Sequence, residues 1–256
     1  MMTHSTPPKP SQTETTHFGY QDVAVDEKEH LVRSVFNSVA GKYDLMNDLM
    51  SMGVHRLWKA TFINMIKPRP GMALIDVGGG TGDIAFGFLD GGGDDVTVVD
   101  INQEMLNAGR DRALDQGRLG GIRWINGDAE RLPLPDATFD VYSIAFCIRN
   151  VTRIDEALKQ ARRVLKPGGR FFCLEFSHVS NPALSALYDT YSFNVLPRLG
   201  STIAGDRDAY QYLAESIRKF PDQDTFAGMI EDAGFAQVRV RNLSGGIAAI
   251  HSAWRI

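Results

Sequence analysis

A chain of 256 residues, 43% apolar and 23% charged, is long enough for one large α/β domain with a well-buried core and too short for two. Its net charge of −4 argues against a nucleic-acid partner, because a phosphate-binding surface shifts the balance positive. Cys147 and Cys173, the only cysteines, stand in apolar runs and read as buried thiols of a reducing, cytoplasmic compartment; neither a membrane-spanning apolar run nor a signal-peptide core is found.

Residues 1–21, rich in Thr, Ser, Pro and His, are expected to form a disordered tail ahead of a single domain over 22–256. From Asp26 to Ser51, Val32, Val35, Phe36, Val39, Tyr43, Met46 and Leu49 recur at three- and four-residue steps, which predicts an amphipathic helical region broken near Gly41. Phe62, Ile63 and Ile66 belong to a second helix that ends before Pro68 and Pro70. Together these make a helical cap over 22–70 that must lie on or over a sheet. Most of its apolar residues read as core cover. Tyr43, Asp48 and His55, polar groups set among Met and Trp, fit one wall of a pocket equally well.

Ala73–Val77 predicts the first strand, and it runs into Gly78, Gly79, Gly80, Thr81, Gly82 and Asp83 ahead of a helical pattern. A strand that turns into a helix through glycine exposes backbone N–H groups at the carboxyl edge of the sheet, where open α/β sheets bind ligands. Two ligands fit this loop. The run 80–85 matches the dinucleotide pattern G-x-G-x-x-G/A, and Asp100 follows Gly80 by twenty residues, as in a nicotinamide-dependent oxidoreductase. Against that, Asp76 and Asp83 place acids where a pyrophosphate needs positive potential. They suit a cationic donor such as S-adenosylmethionine, whose enzymes use the spacing D-x-G-x-G-x-G seen at Asp76, Gly78, Gly80 and Gly82.

The second strand, 96–99, delivers Asp100, which can accept from a ribose diol or cap the helix beginning at Asn102. A third strand, 123–125, leads to Asp128 and Ala129, expected beside the end of the first strand; an acid and a backbone N–H there match the edge of an adenine. The fourth strand, 139–146, ends in Arg149 and Asn150, candidates for chemistry; the plainer role for Arg149 is to pair with an acid and tie the strand down. A helix over 154–165, a helix-ending turn at 166–169 and a fifth strand over 170–176 follow. Residues 181–220 read as a helical insertion over the binding face, with an apolar stripe over 184–196 suited to core packing, a long apolar substrate or a bilayer surface. A last helix and two strands joined through Gly245 and Gly246 complete a Rossmann-like, doubly wound, seven-stranded sheet, mostly parallel with an antiparallel edge hairpin.

Four runs, 42–59 (KYDLMNDLMSMGVHRLWK), 76–83 (DVGGGTGD), 146–151 (FCIRNV) and 163–177 (RVLKPGGRFFCLEFS), together resemble the UbiE family, the C-methyltransferases of ubiquinone and menaquinone biosynthesis. The resemblance extends from about Phe18 to the C-terminus. It implies a class I methyltransferase that uses S-adenosylmethionine as methyl-donating cosubstrate, with no metal, and it places Thr81, Asp100, Asp128 and Ala129 at positions that bind the donor in the family. The implied acceptor is a polyprenylated quinol, either 2-polyprenyl-6-methoxy-1,4-benzoquinol or demethylmenaquinol, and the alternative is another small phenolic or lipid acceptor. Arg149, oriented by Asn150, is then expected to stabilise a developing quinolate or hold the water that takes its proton. An insoluble tail implies contact with the inner face of a membrane or with a quinone-biosynthesis complex; a homodimer is compatible with this. The chain departs from the family at Cys147, where many members have Gly, and at Ala145, where some have Ser.

Overall fold

The computed structural model describes residues 15–39, 48–51, 53–179, 188, 190–191 and 207–256. It begins with a hairpin, β1 (Thr15–Phe18) against β2 (Gln21–Ala24), that leads into α1 (Val25–Val39). The described hairpin therefore includes residues 15–21 of the expected tail. The reason is a long-range contact: Phe18 stacks on Tyr212 with ring centroids 4.1 Å apart, and the Tyr20 N–H donates to Glu215 at 3.0 Å.

The second cap helix, α2 (His55–Ile66), buries Trp58, Phe62 and Ile66 at four-residue steps and stops at Lys67, one residue before Pro68. Then come β3 (Ala73–Val77), α3 (Asp83–Asp90), β4 (Asp95–Asp100), α4 (Gln103–Asp115), β5 (Ile122–Asn126), β6 (Phe139–Ala145), α5 (Ile154–Val164) and β7 (Leu165–Phe176). After α6 (Arg207–Lys219) and α7 (Gln223–Asp232), β8 (Ala236–Leu243) and β9 (Ala248–Trp254) close the sheet. Its order is β5-β4-β3-β6-β7-β9-β8; β9 runs antiparallel between β7 and β8, and the first five strands are parallel.

Both faces of the parallel strands are covered, and that is why they read as unbroken apolar runs. Leu74, Val96, Val98, Phe172 and Leu174 pack with Phe62 and Ile66 of α2 and Phe88 of α3. Ile75, Val77, Val99, Tyr142, Phe171 and Cys173 pack with Leu158 and Val164 of α5 and Phe226 of α7. Among the described residues no helix is long and apolar enough to cross a membrane.

Two expected boundaries move. The helix-ending turn at 166–169 is part of β7, because Gly168 N–H donates to the Arg255 carbonyl at 2.7 Å and Arg255 N–H to that of Gly169 at 2.9 Å. The Arg255 guanidinium also takes the carbonyls of Arg162 and Arg163, so the end of α5 is satisfied by a residue ninety positions away rather than by a glycine turn. Asp128, expected beside the end of the first strand, follows β5, which pairs with β4 and lies two strands from β3. Of the apolar stripe over 184–196, Tyr188, Thr190 and Tyr191 are described and the rest lie outside the described residues; Tyr188 and Tyr191 donate to the carbonyls of Met50 and Leu49.

Candidate active site

At the carboxyl edge of the sheet lies a cavity of about 340 Å³. Its floor is the β3–α3 turn, its sides are the ends of β4, β5 and β6, and α1 roofs it with Val25, Glu29, Val32 and Phe36. Asp76, Gly78, Gly80, Thr81, Asp100, Asp128, Ala129 and Asn150 all line it. The sequence thus named a set of residues that the fold does bring together from four separate segments.

The floor is shaped by glycine. Gly78 has a φ of 63°, and a Cβ there would lie 2.1 Å from Cys147 Sγ and 2.5 Å from Cys147 Cβ. Gly78→Ala is expected to cost about 3 kcal/mol of stability from positive φ and overpacking together. In a Cys147→Gly background the steric part should disappear and only the φ strain remain. Urea unfolding of the two single variants and the double checks this; equal costs in both backgrounds would refute it.

Two buried carboxylates face the turn. Asp76 is 0% exposed. Its Oδ1 accepts from Ser143 Oγ at 2.7 Å, while its Oδ2 has no hydrogen-bond partner among the described residues. Burial drives this carboxyl up to about 7. Asp100 accepts the Gly80 N–H on Oδ2 at 2.9 Å and the Asn102 N–H on Oδ1 at 2.8 Å, and burial lifts it to about 6 against those two donors. Asn102, not Asp100, caps α4, by accepting from the backbones of Glu104 and Met105. Asp100 is thereby free of the capping role and pins the glycine turn to the tip of β4. A carboxylate has about four acceptor directions, so two remain for a ligand.

Asp83 is different from its expected role. Lys59 and Arg112 both pair with it, and although burial opposes ionisation these two cations hold its carboxyl below the usual range. Its charge is already compensated by these two cations. After β5, Asp128 Oδ1 accepts the Glu130 N–H at 2.9 Å, and Ala129 stands between them on the wall.

The Arg149 side chain is 2% exposed, and Arg149 does not line the cavity. Its Nη1 donates to Glu175 Oε1 and to the Phe146 carbonyl, each at 2.7 Å. Phe146 sits at a φ of 55°, a left-handed conformation held by this guanidinium. The plainer role foreseen for Arg149 is thus present: it ties the end of β6 to β7. Asn150, its neighbour, does reach the cavity, and its Oδ1 accepts from Tyr212 Oη at 2.9 Å.

The pocket-wall candidates of the cap pair with one another. His55, 2% exposed, has its Nε2 2.9 Å from Asp48 Oδ1, and Arg56 also binds Asp48. Neither Asp48 nor His55 lines the cavity, and Tyr43 lies outside the described residues. Sequence reasoning missed the α1 roof, whose Val32 and Phe36 carried only an i, i+4 apolar signal that also fits core cover. Lys28 of the same helix does not line the cavity; it is 1% exposed and donates from Nζ to the Val151 carbonyl at 3.2 Å, and burial lowers its pKa to about 8.

The profile of the ubiE/COQ5 methyltransferase family matches residues 23–255. The chain belongs to that family. It is 57% identical to the ubiquinone/menaquinone biosynthesis C-methyltransferase UbiE of Acidiphilium cryptum over 96% of this chain and 99% of that one. It is 51% identical to the mitochondrial 2-methoxy-6-polyprenyl-1,4-benzoquinol methylase of Dictyostelium discoideum, over 96% and 88% of the two chains. Among solved structures, an S-adenosylmethionine-dependent methyltransferase of Thermotoga maritima superposes with a TM-score of 0.64 over 87% of this chain and 99% of that one; at 19% identity the likeness is one of fold. Family membership replaces the oxidoreductase reading of the glycine turn.

Proposed function

We propose that the protein transfers a methyl group from S-adenosylmethionine to a ring carbon of a polyprenylated quinol, the benzoquinol of ubiquinone biosynthesis, the demethylmenaquinol of menaquinone biosynthesis, or both. The observation that carries the donor assignment is a pair of buried acids, one with an oxygen lacking a hydrogen-bond partner among the described residues, beside a turn with no room for a Cβ. Two desolvated carboxylates that make no salt bridge among the described residues suit a positively charged ligand. Asp100 has acceptor directions left for a ribose diol, Asp128 and the Ala129 N–H suit an adenine edge, and Asp76 balances the positive end of the donor. The donor supplies an electrophilic sulfonium methyl. Only the reduced ring is nucleophilic enough to take it, because a quinol oxygen that loses its proton pushes electron density onto the adjacent carbon. Asn150, which lines the cavity, is the donor we assign to that oxygen, and the Arg149–Glu175 pair holds the turn that carries it. The tail reaches the protein through contact with the inner face of a membrane, or through other enzymes of quinone synthesis.

The decisive assay offers chemically reduced, short-tailed demethylated benzoquinol and naphthoquinol with the donor and reads methylation by mass spectrometry. Methylation of either supports the proposal. Failure with both, combined with turnover of an unrelated phenol or lipid, would assign the scaffold to another acceptor.

Donor affinity should depend on pH with a defined sign. In the free protein burial raises Asp76 to about 7 and Asp100 to about 6, so each carboxyl holds its proton to a higher pH than an exposed one. A cationic ligand favours the carboxylates and lowers both values, so binding expels protons. Affinity is therefore expected to rise between pH 5 and pH 8 by about 10-fold or more and then level off. Calorimetric titration across that range checks it; a flat profile would contradict the charge assignment.

A further inference from the structure

We infer that Tyr212 is a positioning residue for the methyl transfer: its hydroxyl fixes the Asn150 amide so that the Nδ2 donor, not the carbonyl oxygen, is presented to the acceptor ring. This rests on the function proposed above and adds to it a residue from a distant part of the chain.

The amide of Asn150 has one acceptor end and one donor end. Its Oδ1 is occupied by Tyr212 Oη at 2.9 Å, and its Nδ2 is buried with no hydrogen-bond partner among the described residues. A buried amide N–H₂ left without an acceptor is costly, and in a residue that lines the cavity it marks a place where a ligand atom completes the network. The ligand atom it suits is an oxygen with growing negative charge. Were the amide turned over, the cavity would meet a carbonyl oxygen that repels a quinolate.

Tyr212 can set this orientation because it is itself held in place. It is 4% exposed, and burial raises its pKa, so it stays protonated and remains able to donate. Phe18 of β1 stacks on its ring at an interplanar angle of 17°. Glu215, one turn further along α6, takes the Tyr20 N–H of the same hairpin. The N-terminal hairpin thus clamps the helix that carries Tyr212, and Tyr212 aims the group at the end of β6.

The test is steady-state kinetics with the reduced short-tailed quinol on wild type, Tyr212→Phe, Asn150→Ala, Asn150→Asp and the double variant Tyr212→Phe/Asn150→Ala. Tyr212→Phe keeps the ring that stacks on Phe18 and removes only the hydroxyl. It is expected to lower kcat by about 10²-fold with the donor's affinity unchanged. Asn150→Asp still accepts from Tyr212 but offers no donor, so it should be as slow as Asn150→Ala. The double variant should be no slower than Asn150→Ala, since Tyr212 acts through that residue. A structural role alone would instead lower the melting temperature and multiply the two effects. Native kcat in Tyr212→Phe, native kcat in Asn150→Asp, or a double variant whose loss is the product of the singles would each overturn the inference while leaving the methyl-transfer reading intact. A wild-type protein that methylates neither quinol removes both.

Discussion

Arg149→Ala is expected to destabilise the fold by about 3–5 kcal/mol, not simply to stop turnover. Glu175 is 1% exposed and its carboxylate oxygen lies 2.7 Å from Arg149 Nη1. Removing the cation leaves Glu175 either charged in a dry interior or forced to take up a proton, toward which burial already pushes it despite Arg149. The Phe146 carbonyl loses its donor at the same time, and with it the restraint on a residue at a φ of 55°. A loss of activity in this variant therefore cannot by itself place the guanidinium in the chemistry. The double variant Arg149→Met/Glu175→Leu separates the roles, because an apolar pair of similar volume restores most of the stability of a buried ion pair. Urea unfolding should show the single variant far below wild type and the double close to it. A single variant within about 1 kcal/mol of wild type would mean that the pair is not what holds this turn.

Asp100→Ala should weaken donor binding by about 10²-fold or more. The carboxylate has two tasks here: it holds the N–H groups of Gly80 and Asn102, and it is the acceptor assigned to the ribose diol. Charge-assisted hydrogen bonds contribute about 1.5–3 kcal/mol each, so losing the ligand's share together with the preorganised turn exceeds a single bond. Stability of the free protein should change much less, because the substitution also removes a carboxylate that burial penalises, with a pKa raised to about 6, once the pH exceeds that value. Calorimetry with S-adenosylhomocysteine reads the affinity and a thermal melt without ligand reads the stability. Affinity within about threefold of wild type would exclude Asp100 from the site.

What the amino-acid order alone determines is governed by forces acting over a few residues. Strands buried on two faces must be apolar throughout, so 73–77, 96–99 and 139–146 declared themselves. A turn that cannot hold a Cβ needs glycine, so the floor of the cavity was legible at Gly78 and Gly80. Acids at strand tips identified Asp76, Asp100 and Asp128, and the fold places all three on one cavity. The motif runs carried the family, and the match over 23–255 agrees with them.

What the amino-acid order left open was the identity of partners far apart along the chain. Asp83 and Asp76 looked alike as acids beside glycines; only the fold brings Lys59 and Arg112 to one and leaves an oxygen of the other without a partner among the described residues. Asp100 was the residue expected as a candidate helix cap, and the backbone directions at the end of β4 give that place to Asn102. Arg149 could face a substrate or an acid on sequence alone, and only the fold brings it Glu175, on the adjacent strand β7. The hairpin at 15–24 had no local signal, because its order depends on Tyr212 and Glu215, nearly two hundred residues away. Periodicity and glycine report the geometry of a short backbone segment, which any fragment carries with it. The pairing of polar groups reports the path of the whole chain, since the cost of burying a charge is settled only when its counterpart arrives from elsewhere.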